Sequence, residues 1–210
     1  MTARQRGVFL ALEGIDGVGK STLMRSLARA LRRRGLSVAV RREPADPRLG
    51  ALAQSAATED PWTGAVYFTV DRHLAAPRLE RDLRLHDVVL QDRSFYSTLA
   101  YQGSALPAAD RRRLAQLQRS ATRTPDRVIL LDLPPAQALH RLGGRERRRG
   151  PLEEAKTLRR VARAYRTLAR SNRWQVLDAR ALPNELLRQV LDGLRLPTAP
   201  PRRQPRRRRR

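Results

Sequence analysis

An eight-residue segment, Gly14-Ile15-Asp16-Gly17-Val18-Gly19-Lys20-Ser21, leaves this chain few folds to choose from. It fits the pattern G-x-x-x-x-G-K-[ST], and its flanks supply the context that pattern needs. Val8 to Leu12 before it is an unbroken apolar run, as expected of a strand buried on both faces of a parallel sheet. From Ser21 to Arg34 after it, Leu23, Leu27, Ala30 and Leu31 recur at helical spacing, and Gly35 stops the helix. In such a strand, loop and helix, backbone N–H groups turn inward around phosphates and the helix N-terminus adds partial positive charge. Gly14, Ile15, Asp16, Gly17, Val18, Gly19, Lys20, Ser21 and Thr22 are therefore expected to cradle a nucleoside triphosphate. Lys20 reaches the β- and γ-phosphates in this reading, and the Ser21 hydroxyl ligates Mg²⁺. The bland alternative is a glycine-rich turn that binds nothing. Against it, one of only two lysines in the chain falls on the required position, the other being Lys156.

The remainder of the chain repeats the alternation of strand and helix. A second strand is expected near Ser37 to Arg41, helices between about Leu49 and Leu85, a third strand at Val88 to Leu90 ending on Asp92, and more helix beyond. Val128 to Leu133 reads as a strand, Ala136 to Leu142 and Glu153 to Ser171 as helices, Trp174 to Leu177 as a last strand and Glu185 to Leu194 as a closing helix. The pattern predicts a P-loop NTPase-type α/β fold, three layers α/β/α around a central parallel sheet. Residues 1–196 are read as one domain, because 210 residues suffice for one sizeable core and not for two ordinary ones.

Composition removes several classes of function. With no cysteine there is no disulfide framework and no thiolate chemistry, and three scattered histidines offer no zinc-ligand spacing. No apolar run approaches a membrane span and no signal-peptide pattern opens the chain, so a soluble cytoplasmic protein is expected. The formal charge of +24 is carried almost entirely by arginine and is spread over every helix surface, which bears on solubility more than on function. From Pro197 onward, four prolines and seven arginines cannot bury a core; residues 197–210 are read as a disordered basic tail with room for nonspecific nucleic-acid contact.

A phosphate loop alone does not choose between kinase, ATPase and GTPase. The chain lacks a guanine-reading Asn-Lys-x-Asp string and has no room for the modules of a motor or helicase, which leaves a compact kinase for a small substrate. Six segments then resemble the thymidylate kinase family. Phe9 to Thr22 is similar to that family's Glu-Gly-x-Asp-Gly-x-Gly-Lys-Ser-Thr loop, and Arg42-Glu43-Pro44 to its Arg-Glu-Pro stretch. Tyr67-Phe68 through Asp71-Arg72 resembles its Phe-x-x-x-Arg helix, Asp92-Arg93 its Asp-Arg, and Val176-Leu177-Asp178-Ala179 its Val-Ile-Asp-Ala strand beside the adenine. Ser97-Thr98-Leu99-Ala100-Tyr101-Gln102-Gly103, similar to Ser-Thr-x-Ala-Tyr-Gln-Gly, is the most specific of the six.

The resemblance implies transfer of the ATP γ-phosphoryl group to dTMP, with Mg²⁺, in a homodimer. Phe68 and Arg72, four apart on one helix face, are then expected to stack on thymine and to donate to its O4. Ser97, Thr98 and Gln102 complete the base edge, Tyr101 excludes a ribose 2′-OH, and Asp16 accepts from the sugar 3′-OH. Arg93, at a strand's carboxyl end, grips the acceptor phosphate, and Asp92 is a direct or indirect magnesium ligand, with Glu43 a weaker candidate. Each has a plainer reading: Phe68 as core, Asp92-Arg93 as a surface ion pair, Tyr101 as packing, Arg72 as one more solvated arginine.

Gly143 to Gly150 holds Arg145, Arg147, Arg148 and Arg149, charges that repel one another unless an anion gathers them. With Gly17 inside the phosphate loop, this resembles the family pattern in which a mobile lid supplies the arginines that neutralise transition-state charge. The chain departs from the family in two places. Gly150-Pro151-Leu152-Glu153 stands where Asp-Arg-x-Glu is common, and Ala45-Asp46-Pro47 where Gly-Gly-Thr is usual. Two rivals remain open at this point: a deoxynucleoside kinase acting on a 5′-OH with Glu43 as base, and a noncatalytic polyanion-binding protein on the same fold.

Overall fold

In the computed structural model, which describes residues 6–143 and 155–194, the first strand β1 spans Val8–Glu13, and every side chain from Phe9 to Glu13 is buried. Helix α1 (Lys20–Arg33) follows the loop and buries Leu23, Met24, Leu27, Ala28, Ala30 and Leu31 along one stripe. Strand β2 (Val38–Arg42) begins one residue later than its sequence suggests, because Ser37 spends its backbone N–H and hydroxyl on the Asp87 carboxylate at 2.7 and 2.6 Å. The helical stretch after it divides into α2 (Pro47–Glu59) and α3 (Pro61–Leu85). The division falls at Asp60, whose carboxylate caps α3 by accepting from the N–H groups of Trp62 and Thr63. Pro61 has no N–H to continue α2 and suits the first position of α3.

Strand β3 (Val88–Asp92) leads into α4 (Phe95–Tyr101), a single 3₁₀ turn (Gly103–Ala105) and α5 (Ala108–Ala121). Strand β4 (Arg127–Asp132), α6 (Pro135–Gly143), α7 (Ala155–Asn172), β5 (Gln175–Asp178) and α8 (Pro183–Gly193) complete the described chain. The five strands form one parallel sheet in the order β2-β3-β1-β4-β5. The fold is thus the three-layer α/β arrangement expected.

Side chains alternate across the sheet with the two-residue period of strands. Leu10, Leu12, Val88, Leu90, Ile129 and Leu131 join Leu27 and Leu31 of α1 and Val190 of α8 in the largest core cluster. On the opposite face Phe9 and Val89 meet Leu79 and Leu83 of α3, while Ala11 and Val128 meet Phe95 and Tyr96 of α4. Because β1 is flanked by β3 on one side and β4 on the other, the chain winds away from it in both directions, and a crevice opens beyond its carboxyl end. Among the described residues no helix is long and apolar enough to cross a membrane. The arginines at 145, 147, 148 and 149 and the tail from 197 lie outside the described residues.

Candidate active site at the carboxyl edge of the sheet

Sheet register brings distant segments to one edge. Leu12 and Arg42 both stand opposite Asp92, the Arg93 N–H donates to the Leu12 carbonyl at 2.9 Å, and the Glu43 N–H donates to the Asp92 carbonyl at 3.0 Å. The residues that follow β1, β2 and β3 therefore share a rim.

The phosphate loop carries positive φ at Gly14 (139°), Gly17 (84°) and Gly19 (99°), conformations an L side chain rarely adopts. Ile15 and Val18 bury their side chains, so they contribute to a ligand through backbone only. Capped by Gly19, α1 has neither a capping side chain nor an acidic residue in its first turn. By contrast α2, α3 and α4 are capped by Asp46, Asp60 and Ser94, and α5 and α8 carry Asp110 and Glu185. The positive end of α1 is thus left to an external anion. Lys20, buried at that same end, adds to the demand: its ammonium donates to the carbonyls of Gly14 (2.9 Å) and Ile15 (3.0 Å) and lies 3.8 Å from Asp16. Burial and the neighbouring Arg93 pull its pKa down to about 8 against the attraction of Asp16. Ser21 and Thr22 are exposed, and the Ser21 hydroxyl donates to Asp92 Oδ2 at 3.2 Å.

Arg93 sits at φ 70° just past β3, a strained conformation for a residue with a Cβ, and this turn sends its side chain over the loop. The guanidinium does not pair with Asp92, as a simple surface ion pair would. Its Nη2 donates to Asp16 Oδ1, its Nη1 to Ser97 Oγ (3.1 Å) and Tyr165 OH (3.5 Å), and the ring of Tyr101 lies 5.2 Å away. Burial disfavours the charge on both partners, yet each overcomes it through the other: Asp16 falls to about 2, helped by Lys20, and Arg93 stays firmly protonated. Tyr101, itself buried, donates to Asp16 Oδ2 at 3.4 Å.

A second cluster stands behind the first. Far from being solvated, Arg72 is 3 % exposed and gives Nε and Nη2 to Glu43 Oε2 at 3.0 and 2.7 Å. It also reaches Thr98 Oγ1 at 3.3 Å and, through Nη1, Gln118 Oε1. The other Glu43 oxygen accepts from Gln91 at 2.8 Å. Glu43 thus joins Arg72 to Gln91 behind the phosphate loop. Phe68, one turn before Arg72, is half-buried rather than core, and Gln102 is buried at the end of α4.

Three participants escaped the sequence reading. Gln118 reads as a polar residue on an ordinary helix, yet it is fully buried and bridges Arg72 to Thr69. Tyr165 falls on the apolar stripe of α7 and reads as core. Glu13 ends a buried strand; its carboxylate accepts from Ser94 N–H, Ser94 Oγ and Ser97 Oγ, each at 2.7 Å, and from Tyr165 OH at 3.0 Å. Ser97 is consequently tied to Glu13 and Arg93.

Comparison with known proteins places the chain by sequence. A model of the thymidylate kinase family matches residues 12–190. A probable thymidylate kinase of Pyrobaculum calidifontis is 35% identical over 189 residues, covering 88% of this chain and 94% of the relative. The thymidylate kinase of Xanthomonas oryzae pv. oryzae is 38% identical over 193 residues, covering 88% and 81%. A probable thymidylate kinase of Methanopyrus kandleri is 46% identical over a shorter 129 residues, covering 61% and 62%.

Proposed function

The chain belongs to the thymidylate kinase family, and we propose that its sheet-edge crevice transfers the γ-phosphoryl group of ATP to dTMP, giving dTDP, through the residues just described. One observation carries the assignment of roles. Arg93, suited to an acceptor phosphate, is bonded to Asp16 inside the triphosphate loop, so the two nucleotide grips abut. Phosphoryl transfer needs such adjacency, because positioning and charge neutralisation supply nearly all of its catalysis.

The division of labour follows from the chemistry. The loop amides, the α1 N-terminus and Lys20 hold the triphosphate and oppose the charge that builds on the β-phosphate as the bond to the γ-phosphorus breaks. The attacking oxygen of a monophosphate is already anionic, so no base is required. Arg93 holds that phosphate, Asp16 takes the 3′-OH, and Tyr101 closes the space a 2′-OH would occupy. Phe68 and Arg72 receive the base, with Thr98 and Gln102 at its edge and Ser97 acting through Arg93. The arginines at 145, 147, 148 and 149 neutralise the transferring group in this reading; changing all four to Ala is expected to lower turnover.

Magnesium fits the residues present. Asp92 Oδ1 is buried with no hydrogen-bond partner among the described residues, while Oδ2 takes the Ser21 hydroxyl. Such a sparse set suits an ion held chiefly by substrate phosphates and water. No group of three acidic, histidine or cysteine side chains among the described residues offers a dedicated cage. Ser21 and Asp92 would hold Mg²⁺, which would supply charge neutralisation to the transferring phosphates.

A homodimer is also proposed. Val66, Val70 and Leu74 recur every fourth residue on α3 and are 40, 42 and 65% exposed, with Leu52 of α2 a further exposed apolar side chain. A second copy would cover this apolar surface on a chain otherwise rich in charge.

The assay that tests the reaction offers ATP and Mg²⁺ with either thymidylate or thymidine. Product from thymidylate alone is expected. Product from thymidine alone would give the site to a deoxynucleoside kinase, although Glu43, its candidate base, is held by Arg72 and Gln91.

A further inference from the structure

We propose that Glu13, which belongs to neither nucleotide grip, is a positioning residue for Arg93: it fixes which way the hydroxyls beneath the guanidinium point. The inference rests on the role given to Arg93 above.

Glu13 is fully buried at the end of β1, and its hydrogen bonds among the described residues come from Ser94, Ser97 and Tyr165. Its four contacts divide evenly. Oε1 takes the N–H and hydroxyl of Ser94, and Oε2 takes the hydroxyls of Ser97 and Tyr165. Those two hydroxyls also lie 2.8 Å from each other, so their two protons serve three oxygen–oxygen contacts. Burial raises the Glu13 pKa, while the hydrogen bonds from Ser94, Ser97 and Tyr165 and the nearby Arg93 oppose that rise. Four donors converge on its two oxygens, the arrangement of an acceptor-only carboxylate. Each hydroxyl proton then points to that carboxylate or to the other hydroxyl, and none points outward. Both oxygens therefore present lone pairs to Arg93, whose Nη1 donates to Ser97 at 3.1 Å and to Tyr165 at 3.5 Å. The carboxylate also supplies a buried negative charge behind the cation, at a site where an unpaired charge is costly.

A cap for α4 would need only the Ser94 contacts. The Oε2 half serves no backbone group; it addresses two side chains from α4 and α7, and both lead to Arg93. Replacing Glu13 by Gln keeps the shape but substitutes an NH₂ for an acceptor. That NH₂ donates toward Ser97 and Tyr165, frees their protons to turn toward the Arg93 N–H groups, and removes the charge. The guanidinium then loses its seat although every residue around it is unchanged.

The test is a double-mutant cycle between Glu13→Gln and Arg93→Lys, read as kcat/KM for dTMP and KM for ATP. We expect E13Q alone to lower kcat/KM for dTMP about 10–100-fold, the scale of a misplaced reacting group, with KM for ATP unchanged. In the R93K background the same change should have almost no effect, because the residue it positions is gone. Equal losses in both backgrounds, or no loss in wild type, would overturn the proposal and leave Glu13 a cap. If E13Q does not fold, Tyr165→Phe replaces it in the cycle; the buried ring remains and only the hydroxyl leaves. NMR exchange of the Arg93 guanidinium protons in nucleotide-free protein reads the same contact without turnover, and faster exchange in either variant supports the proposal. If wild type fails to phosphorylate dTMP while the variants exchange faster than wild type, the assigned reaction alone falls; exchange unchanged in both variants would overturn the positioning role.

Discussion

Lys20 shows how far one side chain's chemistry can be pushed by its address. An ammonium buried at the positive end of a helix is unfavourable without an anion, and its pKa of about 8 records that cost, led by burial. The sign of the consequence can be worked through. Between pH 8 and the ordinary lysine range the unfolded chain holds this proton and the folded chain does not, so stability contributed by Lys20 rises with pH across that window. Triphosphate binding reverses the balance by restoring the charge. Calorimetry in buffers of differing ionisation enthalpy should find uptake of roughly half a proton on binding near pH 8, and essentially none at pH 6. Absence of uptake at pH 8, together with triphosphate affinity unchanged in Lys20→Met, would refute the ammonium–phosphate contact. Glu43 offers a second test at this scale. Held as the partner of a 3 % exposed Arg72, it should cost about 3 kcal/mol of stability when changed to Ala, because a buried charge is left uncompensated. A catalytic base would instead show lost turnover with an unchanged denaturation midpoint.

Among elements, the phosphate loop is fixed as much by what it packs on as by its own glycines. A Cβ at Gly17 would meet the Ala138 carbonyl of α6 at 2.5 Å, whereas one at Gly19 would meet nothing within 4 Å. Both positions have positive φ, so Ala costs about 1–2 kcal/mol of backbone strain at each. Only at Gly17 must the loop also move away from α6. Gly17→Ala should therefore lower the thermal midpoint and triphosphate affinity more than Gly19→Ala does, measured by thermal unfolding and nucleotide titration. The α2–α3 pair depends on a similar closeness. A Cβ at Gly64 would lie 2.4 Å from that of Ala57, and Asp71 of α3 holds the approach to α2 by accepting from the N–H groups of Ala45 and Asp46 at 2.8 and 2.7 Å. This is where the chain reads Ala45-Asp46-Pro47 against the family habit. Asp46 caps α2 and Pro47 opens it, so the altered residues build a helix start.

For the molecule as a whole, an excess of positive charge raises the self-repulsion of any assembly, so association must come from apolar area. The α3 stripe of Val66, Val70 and Leu74 is the candidate. Sedimentation should show twice the mass of one 23.9 kDa chain, and Leu74→Arg should return it to a single chain. Wild type sedimenting as one chain would remove the dimer. Because the stripe lies outside the Arg93 and Lys20 clusters, residual turnover of the single-chain form is expected to reveal whether the second copy matters to the site.

Sequence alone determined what is local. The glycine pattern, one lysine in position, and apolar runs with two-residue and helical periods announced a phosphate loop on a parallel α/β sheet, since those signals are written within a few residues of each other. It also placed Phe68 beside Arg72 and Asp92 beside Arg93. Which side chains those arginines would meet was decided by the tertiary structure. Arg93 joins Asp16 across 77 positions, Arg72 joins Gln118 across 46, and Glu13 meets Tyr165 across 152. No local signal encodes such pairs. They exist because parallel strands set β1, β2 and β3 in register and stack α4 and α7 on one face, and a buried charge then takes whichever partner that packing brings within reach.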